Sequence, residues 1–270
     1  MNLAAYFERI EYAGTPAVDL TTFNAIHHQH LLHIPYENID VQLGSPLDFD
    51  LQRIFRKLVT AQRGGWCYEM NGLLGWALQE IGFDVTQMCG GVMREATRDE
   101  QTGNHLILNV DLNGEKWLAD VGLGDGVRYP IPIMQGSHTQ AGLTYTLAQR
   151  SDGFWRFANH QHSNVKFFDF LHQPAIEEQL ARQCQWLQTN PESPFITALI
   201  VQRFTAETIE VQLGKMHTTI SSDGKKTREI HSLEAMHEHL QSTFGLNVDI
   251  APAWDNILTA HKKIIKRGTG

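Results

Sequence analysis

The chain has 270 residues, 42% of them hydrophobic and 19% charged, with 22 glycines and 9 prolines. That is the composition of an ordinary globular protein long enough for two or three packed sub-domains, and it excludes a disordered or fibrous chain. A formal charge of -8 at pH 7 argues against nucleic acid as a partner, because phosphate recognition needs an excess of Lys and Arg to displace counterions.

No run reaches the roughly 18 apolar residues of a membrane span. Met1 to Ile10 carries Glu8 and Arg9 in place of an apolar leader core, so the expectation is a cytoplasmic protein that does not engage a membrane. Three cysteines, Cys67, Cys89 and Cys184, form an odd set without short metal-type spacing, which suits a reducing compartment and at least one free thiol.

In chain order, Asp50 reads as an N-cap before Leu51, Ile54, Phe55, Leu58 and Val59, which recur at helical spacing up to Gly64-Gly65. Met70, Leu73, Leu74, Ala77, Leu78 and Ile81 repeat the period and end at Gly82, so Cys67 opens a long amphipathic helix. Strand patterns follow over 84–93, 105–112 and 115–121, with further short strands up to about Phe170. After Pro174 come strand-like runs over 196–205 and 208–220, a turn at Asp223-Gly224, and a helix from Ser232 to Phe244 closed by Gly245. The last basic residues, Lys262, Lys263, Lys266 and Arg267, read as a solvated helix face.

The run Arg63-Gly64-Gly65-Trp66-Cys67-Tyr68-Glu69 presents a thiol in a sharp Gly-Gly turn that opens a helix. Unpaired N–H groups and the helix dipole favour thiolate there, and a neighbouring histidine would act in the same sense. The alternative is a buried structural cysteine.

A base comes from hairpin geometry. Asn113-Gly114 between two strand-like runs signals a two-residue type I′ turn. Pairing Leu112 with Glu115 then sets Ile107 opposite Asp120 and His105 opposite Gly122. His105 and Asp120 become diagonal neighbours, about 7–8 Å apart at the backbone, on a face shared with Asn109, Asp111 and Lys116. That face reads as polar and able to carry a site, whereas Leu106, Leu108, Val110, Leu112, Trp117 and Val121 read as core. An aspartate behind a histidine fixes its tautomer, completing a nucleophile, base and orienter; a plain cross-strand pair is the other reading.

Among 14 histidines, His27-His28-x-His30-x-x-His33 and His160-x-His162 invite comparison with metal ligand sets. The first group falls all around a helix, and no metal site is expected. Cys89 and Cys184 are assigned no chemistry. Gly122-Leu123-Gly124-Asp125-Gly126 lacks the spacing of a phosphate or dinucleotide loop.

The Arg63–Glu69 run, His105-Leu106, Asp120-Val121-Gly122-Leu123-Gly124 and His30-Leu31-Leu32-His33-Ile34-Pro35-Tyr36-Glu37-Asn38-Ile39-Asp40-Val41 together resemble the arylamine N-acetyltransferase family, of the bacterial N-hydroxyarylamine O-acetyltransferase type. The resemblance spans residues 30–124 and loosens in the last third. It implies an α+β fold: a helical N-terminal domain (1–83) carrying the nucleophile, a central β-barrel (84–187) carrying His and Asp, and a C-terminal α/β lid (188–270), around a papain-like or transglutaminase-like Cys-His-Asp core.

The resemblance also implies ping-pong transfer from acetyl-CoA through a Cys67 thioester, with His105 and Asp120 completing the triad. The acceptor would be an aromatic amine or hydrazine, or the oxygen of an N-hydroxyarylamine. Tyr36, Leu123 and Phe195 would contact the acceptor and Gly124 the CoA, in a monomer or homodimer. Tyr36 and Leu123 stand where the family usually has Phe, and the second departure removes a stacking surface. Trp66 and Glu69 replace the more frequent Tyr and Gln, and Glu69 is placed to pair with Arg63. A cysteine hydrolase or thioesterase with the same triad, an amide synthase closing polyketide chains, and a catalytically silent binding protein are the competing readings.

Overall fold

The computed structural model describes residues 1–97 and 102–268, without the side chains of 96, 97 and 263–268. The side chains of Lys263, Lys266 and Arg267, expected to form a basic helix face, lie outside the described ones. The chain opens with helices α1 (Leu3–Arg9) and α2 (Leu20–His33), the short strand β1 (Tyr36–Glu37), and helices α3 (Ile39–Gln42), α4 (Leu51–Phe55) and α5 (Cys67–Ile81).

Next come β2 (Asp84–Val92), α6 (Arg94–Thr97), β3 (His105–Leu112), β4 (Glu115–Ala119), β5 (Ile131–Pro132), β6 (Gly136–Gln140), β7 (Leu143–Gln149), β8 (Trp155–Ala158) and β9 (Phe167–Phe170). The chain ends with α7 (Glu177–Thr189), α8 (Pro194–Thr197), β10 (Ile200–Phe204), β11 (Ile209–Leu213), β12 (Met216–Ser221), β13 (Gly224–Glu229), α9 (Leu233–Phe244) and α10 (Trp254–Gly268).

The architecture is α+β, as expected. Eight antiparallel strands in the order β5-β4-β3-β2-β9-β8-β7-β6 curl into a barrel-like sheet, and five more form a sheet in the order β1-β10-β11-β12-β13. The main core lies between α1, α2, α4, α5 and the barrel, with Phe23, Leu74, Ile107 and Leu118 fully buried in it. A second core joins α9 and the start of α10 to β10. A third gathers Tyr36, Trp66, Cys67, Tyr68, Leu106, Leu180 and Leu187 around the thiol. Among the described residues no helix is long and apolar enough to cross a membrane.

Local chemistry sets most element ends. The Asp50 carboxylate accepts from the amides of Gln52 and Arg53 at 2.8 and 3.0 Å and starts α4. Asn113 and Gly114 both take positive φ, 56° and 85°, as a type I′ turn requires. The register is the expected one, running from Leu112↔Glu115 to Leu108↔Ala119; there the ladder stops, leaving Asp120 just past the strand.

Several expectations are corrected. The helix over 51–63 is α-helical only to Phe55 and continues as a π-helical turn, Arg56–Thr60. The strand-like run 208–220 is two strands, because Gly214 turns the chain at φ 56°, and the start of the run 196–205 is taken by α8. The expected boundary at 187–188 falls inside α7, which reaches Thr189 with Leu180, Cys184 and Leu187 on its buried face. The face of β3 and β4 expected to be polar is buried at the His105 end, Ile107 and Leu118 fully and Asn109 nearly, while Asp111 and Lys116 at the turn end reach solvent. Leu108 on the opposite face packs against α5, so the Ile107 face turns into the barrel, where Phe168 lies edge-on to His105.

Candidate active site

Gly64-Gly65 is not a sharp turn but extended chain. Gly65 accepts from the Glu37 amide at 2.9 Å and donates to the Pro35 carbonyl at 3.2 Å. A Cβ on Gly64 would stand 2.1 Å from the Pro35 oxygen, so close approach requires the glycine. The next residue, Trp66, caps α5: its amide donates to the Glu69 carboxylate at 3.2 Å, and Cys67 is the first helical residue.

Glu69 pairs with Lys57 at 2.8 Å, not with Arg63. Arg63 instead holds Glu37 at 2.7 Å and Asp40 at 2.9 Å, and Lys57 also reaches Asp40 at 2.7 Å. Three carboxylates thus face two cations beneath the Cys67 turn. Burial pushes Glu69 up to about 7 against the pull of Lys57.

His105, at the start of β3, points back toward Cys67. Its Nε2 lies 2.8 Å from Asp120 Oδ2, and both residues are 2% exposed. Burial favours the neutral ring, but the Asp120 charge and hydrogen bond, with smaller contributions from Cys67, outweigh it and push the imidazole up to about 10. With Nε2 committed to Asp120, Nδ1 is the nitrogen left for the thiol.

The Asp120 carboxylate is itself held by Asn71 Nδ2 at 2.8 Å and the Gly122 amide at 2.9 Å, both on Oδ1. Asn71 also donates to the Leu106 carbonyl at 2.6 Å and accepts from the Val121 amide at 2.9 Å. Sequence reasoning misses this residue, although it stands one helical turn after Cys67 on the same helix face.

These groups open on a cavity of about 710 Å³ lined by Cys67, His105, Tyr36, Leu123, Gly124 and Phe195, together with Val92, Trp186, Ile200, Gln202, Val211 and others. Every residue expected to contact substrate therefore borders one cavity, with Asp120 behind it. Tyr36 arrives by pairing of β1 with β10 opposite Gln202. Phe195 packs edge-on against Trp66, 5.5 Å between ring centres. Gly124 lies under Gln202, whose Oε1 would be 2.3 Å from an added Cβ, so packing alone accounts for that glycine.

Cys89 is half-buried in β2 and Cys184 is buried in α7, away from His105's hydrogen bonds. Of the clustered histidines, His30 bonds Tyr6 Oη at 2.9 Å, His33 the Gln29 carbonyl, and His160 the Asp125 carbonyl at 3.0 Å. His28 stacks on Tyr129. His27 bonds the backbone of Asp120 and Arg128.

Cys67, His105 and Asp120 thus meet at one cavity. A family model described as N-acetyltransferase matches residues 19–253. The arylamine N-acetyltransferase of Escherichia coli (strain K12) is 33% identical over 253 residues, 91% of this chain and 89% of its own. That of Mycolicibacterium smegmatis is 36% identical over 217 residues, covering 74% and 76%. A solved structure of the Mycobacterium marinum arylamine N-acetyltransferase in complex with CoA superposes with a TM-score of 0.86 at 25% identity, over 95% of this chain and 98% of that one. The Salmonella typhimurium arylamine N-acetyltransferase shares the fold, with a TM-score of 0.87 over 95% and 98% of the two chains at 24% identity. With the family model spanning most of the chain and relatives matched along nearly all of it, the protein belongs to the arylamine N-acetyltransferases and is an acyltransferase.

Proposed function

We propose that the protein moves acetyl from acetyl-CoA through a thioester on Cys67 to the nitrogen of arylamines or arylhydrazines, or to the oxygen of N-hydroxyarylamines. One observation carries this reading: Cys67 opens α5 on a cavity of about 710 Å³ beside an imidazole that a buried carboxylate holds at 2.8 Å. The Mycobacterium marinum relative in complex with CoA supports the donor.

In the first half-reaction the Cys67 sulfur attacks the thioester carbonyl. Its proton already rests on His105, which Asp120 holds protonated, and passes from there to the departing CoA sulfur, so CoA leaves as a thiol and acetyl stays on the enzyme. In the second, the amine attacks the acetyl carbon, and an N–H proton travels through His105 to the Cys67 sulfur as the amide departs. Acylation removes the contributions of Cys67 to the raised His105 pKa, which brings the ring closer to the range of a working base. Tyr36, Leu123 and Phe195 hold the aromatic ring of the acceptor, Tyr36 and Phe195 with aromatic faces and Leu123 without one.

Intact-protein mass spectrometry tests the reading. Acetyl-CoA adds one acetyl group to wild type and none to Cys67→Ala, and an aniline or arylhydrazine removes it as the amide. An adduct on Cys89 or Cys184, or discharge equally fast without amine, would overturn it.

A further inference from the structure

His27 is fully buried on α2, and both of its ring nitrogens bond to backbone of the loop that follows β4. The Asp120 amide donates to Nε2 at 3.2 Å, and Nδ1 lies 3.0 Å from the Arg128 carbonyl oxygen. An amide can only donate, so Nε2 carries the lone pair and the ring proton sits on Nδ1, where it donates to Arg128. This arrangement requires a neutral ring of one tautomer; burial supports it by holding the imidazole down at about 4.

The position of the bond matters because the Asp120 amide faces the β5 side of β4, where the ladder ends at Leu118↔Ile131. Among the described residues no strand partner takes the Asp120 amide, and His27 stands where a strand carbonyl would. The two residues it tethers are the ends of the segment 120–128. Between them, a Cβ on Gly122 would lie 2.7 Å from the Cys67 Cα, and Leu123, Gly124 and Asp125 line the cavity.

We propose that His27 is a positioning residue: by holding both ends of the segment 120–128 it aims the Asp120 carboxylate at His105 and seats the cavity wall against Cys67. The inference rests on the Cys67–His105–Asp120 reading above. It also gives one member of the α2 histidine group a role that metal binding does not require.

Two substitutions split the two bonds. A glutamine carbonyl reaches the place of Nε2 and keeps the Asp120 bond, whereas an asparagine amide reaches the place of Nδ1 and keeps only the Arg128 bond. For each variant the measurements are single-turnover acetylation of Cys67, the pH dependence of Cys67 alkylation by iodoacetamide, and the thermal melt. His27→Gln is expected to stay within about threefold of wild type with an unchanged alkylation profile. His27→Asn is expected to acetylate about tenfold more slowly, the scale of one lost hydrogen bond, and to displace the profile.

Equal rates and profiles for both variants, or equal losses in both, overturn the inference, since a role in packing alone does not distinguish them. Asp120→Asn, run in parallel, separates the failure of the triad from the failure of the tether. If it leaves the profile unmoved, the triad reading has failed; if it moves the profile and His27→Asn does not, only the role of His27 has. Should the variants not fold, long-range 1H–15N spectra of the wild-type protein decide. A neutral His27 protonated on Nδ1 from pH 6 to 9 is the expected result, and the other tautomer or an imidazolium overturns the inference.

Discussion

Replacing Asp120 by Asn gives the sharpest test of how the acyl-transfer chemistry is organised. The Asp120 Oδ1 accepts from Asn71 and the Gly122 amide at 2.8 and 2.9 Å, and Oδ2 faces His105. An asparagine keeps its oxygen on the two donors, because its NH₂ would clash electrostatically with both. The NH₂ must then face His105 Nε2. To accept that bond the ring has to carry its proton on Nδ1, the nitrogen that should receive the proton of the Cys67 thiol.

The loss has two parts. A charge-assisted hydrogen bond to the imidazolium contributes about 1.5–3 kcal/mol, a factor of about 10–200, and the wrong tautomer adds to it. The equivalent aspartate-to-asparagine change in a serine protease triad costs about 10⁴ in turnover; a thiol at a helix start is the easier nucleophile, so the expected loss here is about 10²–10³ in single-turnover acetylation.

The assay pairs that rate, from pH 6 to 10, with a calorimetric melt. Because the oxygen contacts survive, the variant should fold, its melt lowered only by loss of the charge pairing with His105. Near-native melting with near-native acetylation would refute the orienting role. Recovery of the rate at high pH would refute the tautomer argument, since a shifted pKa alone is overcome by pH and a misplaced proton is not.

Asn71→Leu should lower stability by about 3–5 kcal/mol and slow acetylation, because it leaves the buried Leu106 carbonyl and Val121 amide without their partner; denaturant unfolding measures it, and a change under 1 kcal/mol contradicts the bonding described. Leu123→Phe restores a ring beside the nucleophile and should lower the KM of aromatic acceptors about two- to tenfold, the worth of an aromatic contact of about 0.5–1.5 kcal/mol, with Cys67 acetylation by acetyl-CoA unchanged; an unaltered KM across several anilines argues that Leu123 does not meet the acceptor. The raised pKa of His105, about 10 against 6.5, means the folded state binds the extra proton, so the stabilisation is complete below about pH 6.5 and is lost as pH rises through 10. The melting difference between wild type and His105→Gln should therefore shrink over that interval, and a difference that grows with pH reverses the sign of the argument.

The sequence alone settled what short-range bonding decides. Asn113-Gly114 dictated the hairpin and its register, because a two-residue turn of that type admits one pairing, and the register aligned His105 with Asp120. Asp50, Ser232 and Gly245 marked helix ends through bonds reaching two to four residues. The period of Met70 to Ile81 placed Cys67 at the start of α5 because a helix face repeats at fixed spacing.

Tertiary structure decided the rest, where partners are set by packing between distant segments. Gly64-Gly65 looked like a turn, but it is extended because Pro35 comes to lie against it. The polar alternation along β3 marked a face able to carry a site, but only the curl of the sheet buries its His105 end while Asp111 and Lys116 stay in reach of solvent. Tyr36 meets Gln202 only because β1 joins β10, and His27 meets the Asp120 amide across 93 residues. No periodicity encodes such contacts: each depends on which faces bury each other and on a loop closing between them, and that is decided by the whole core at once.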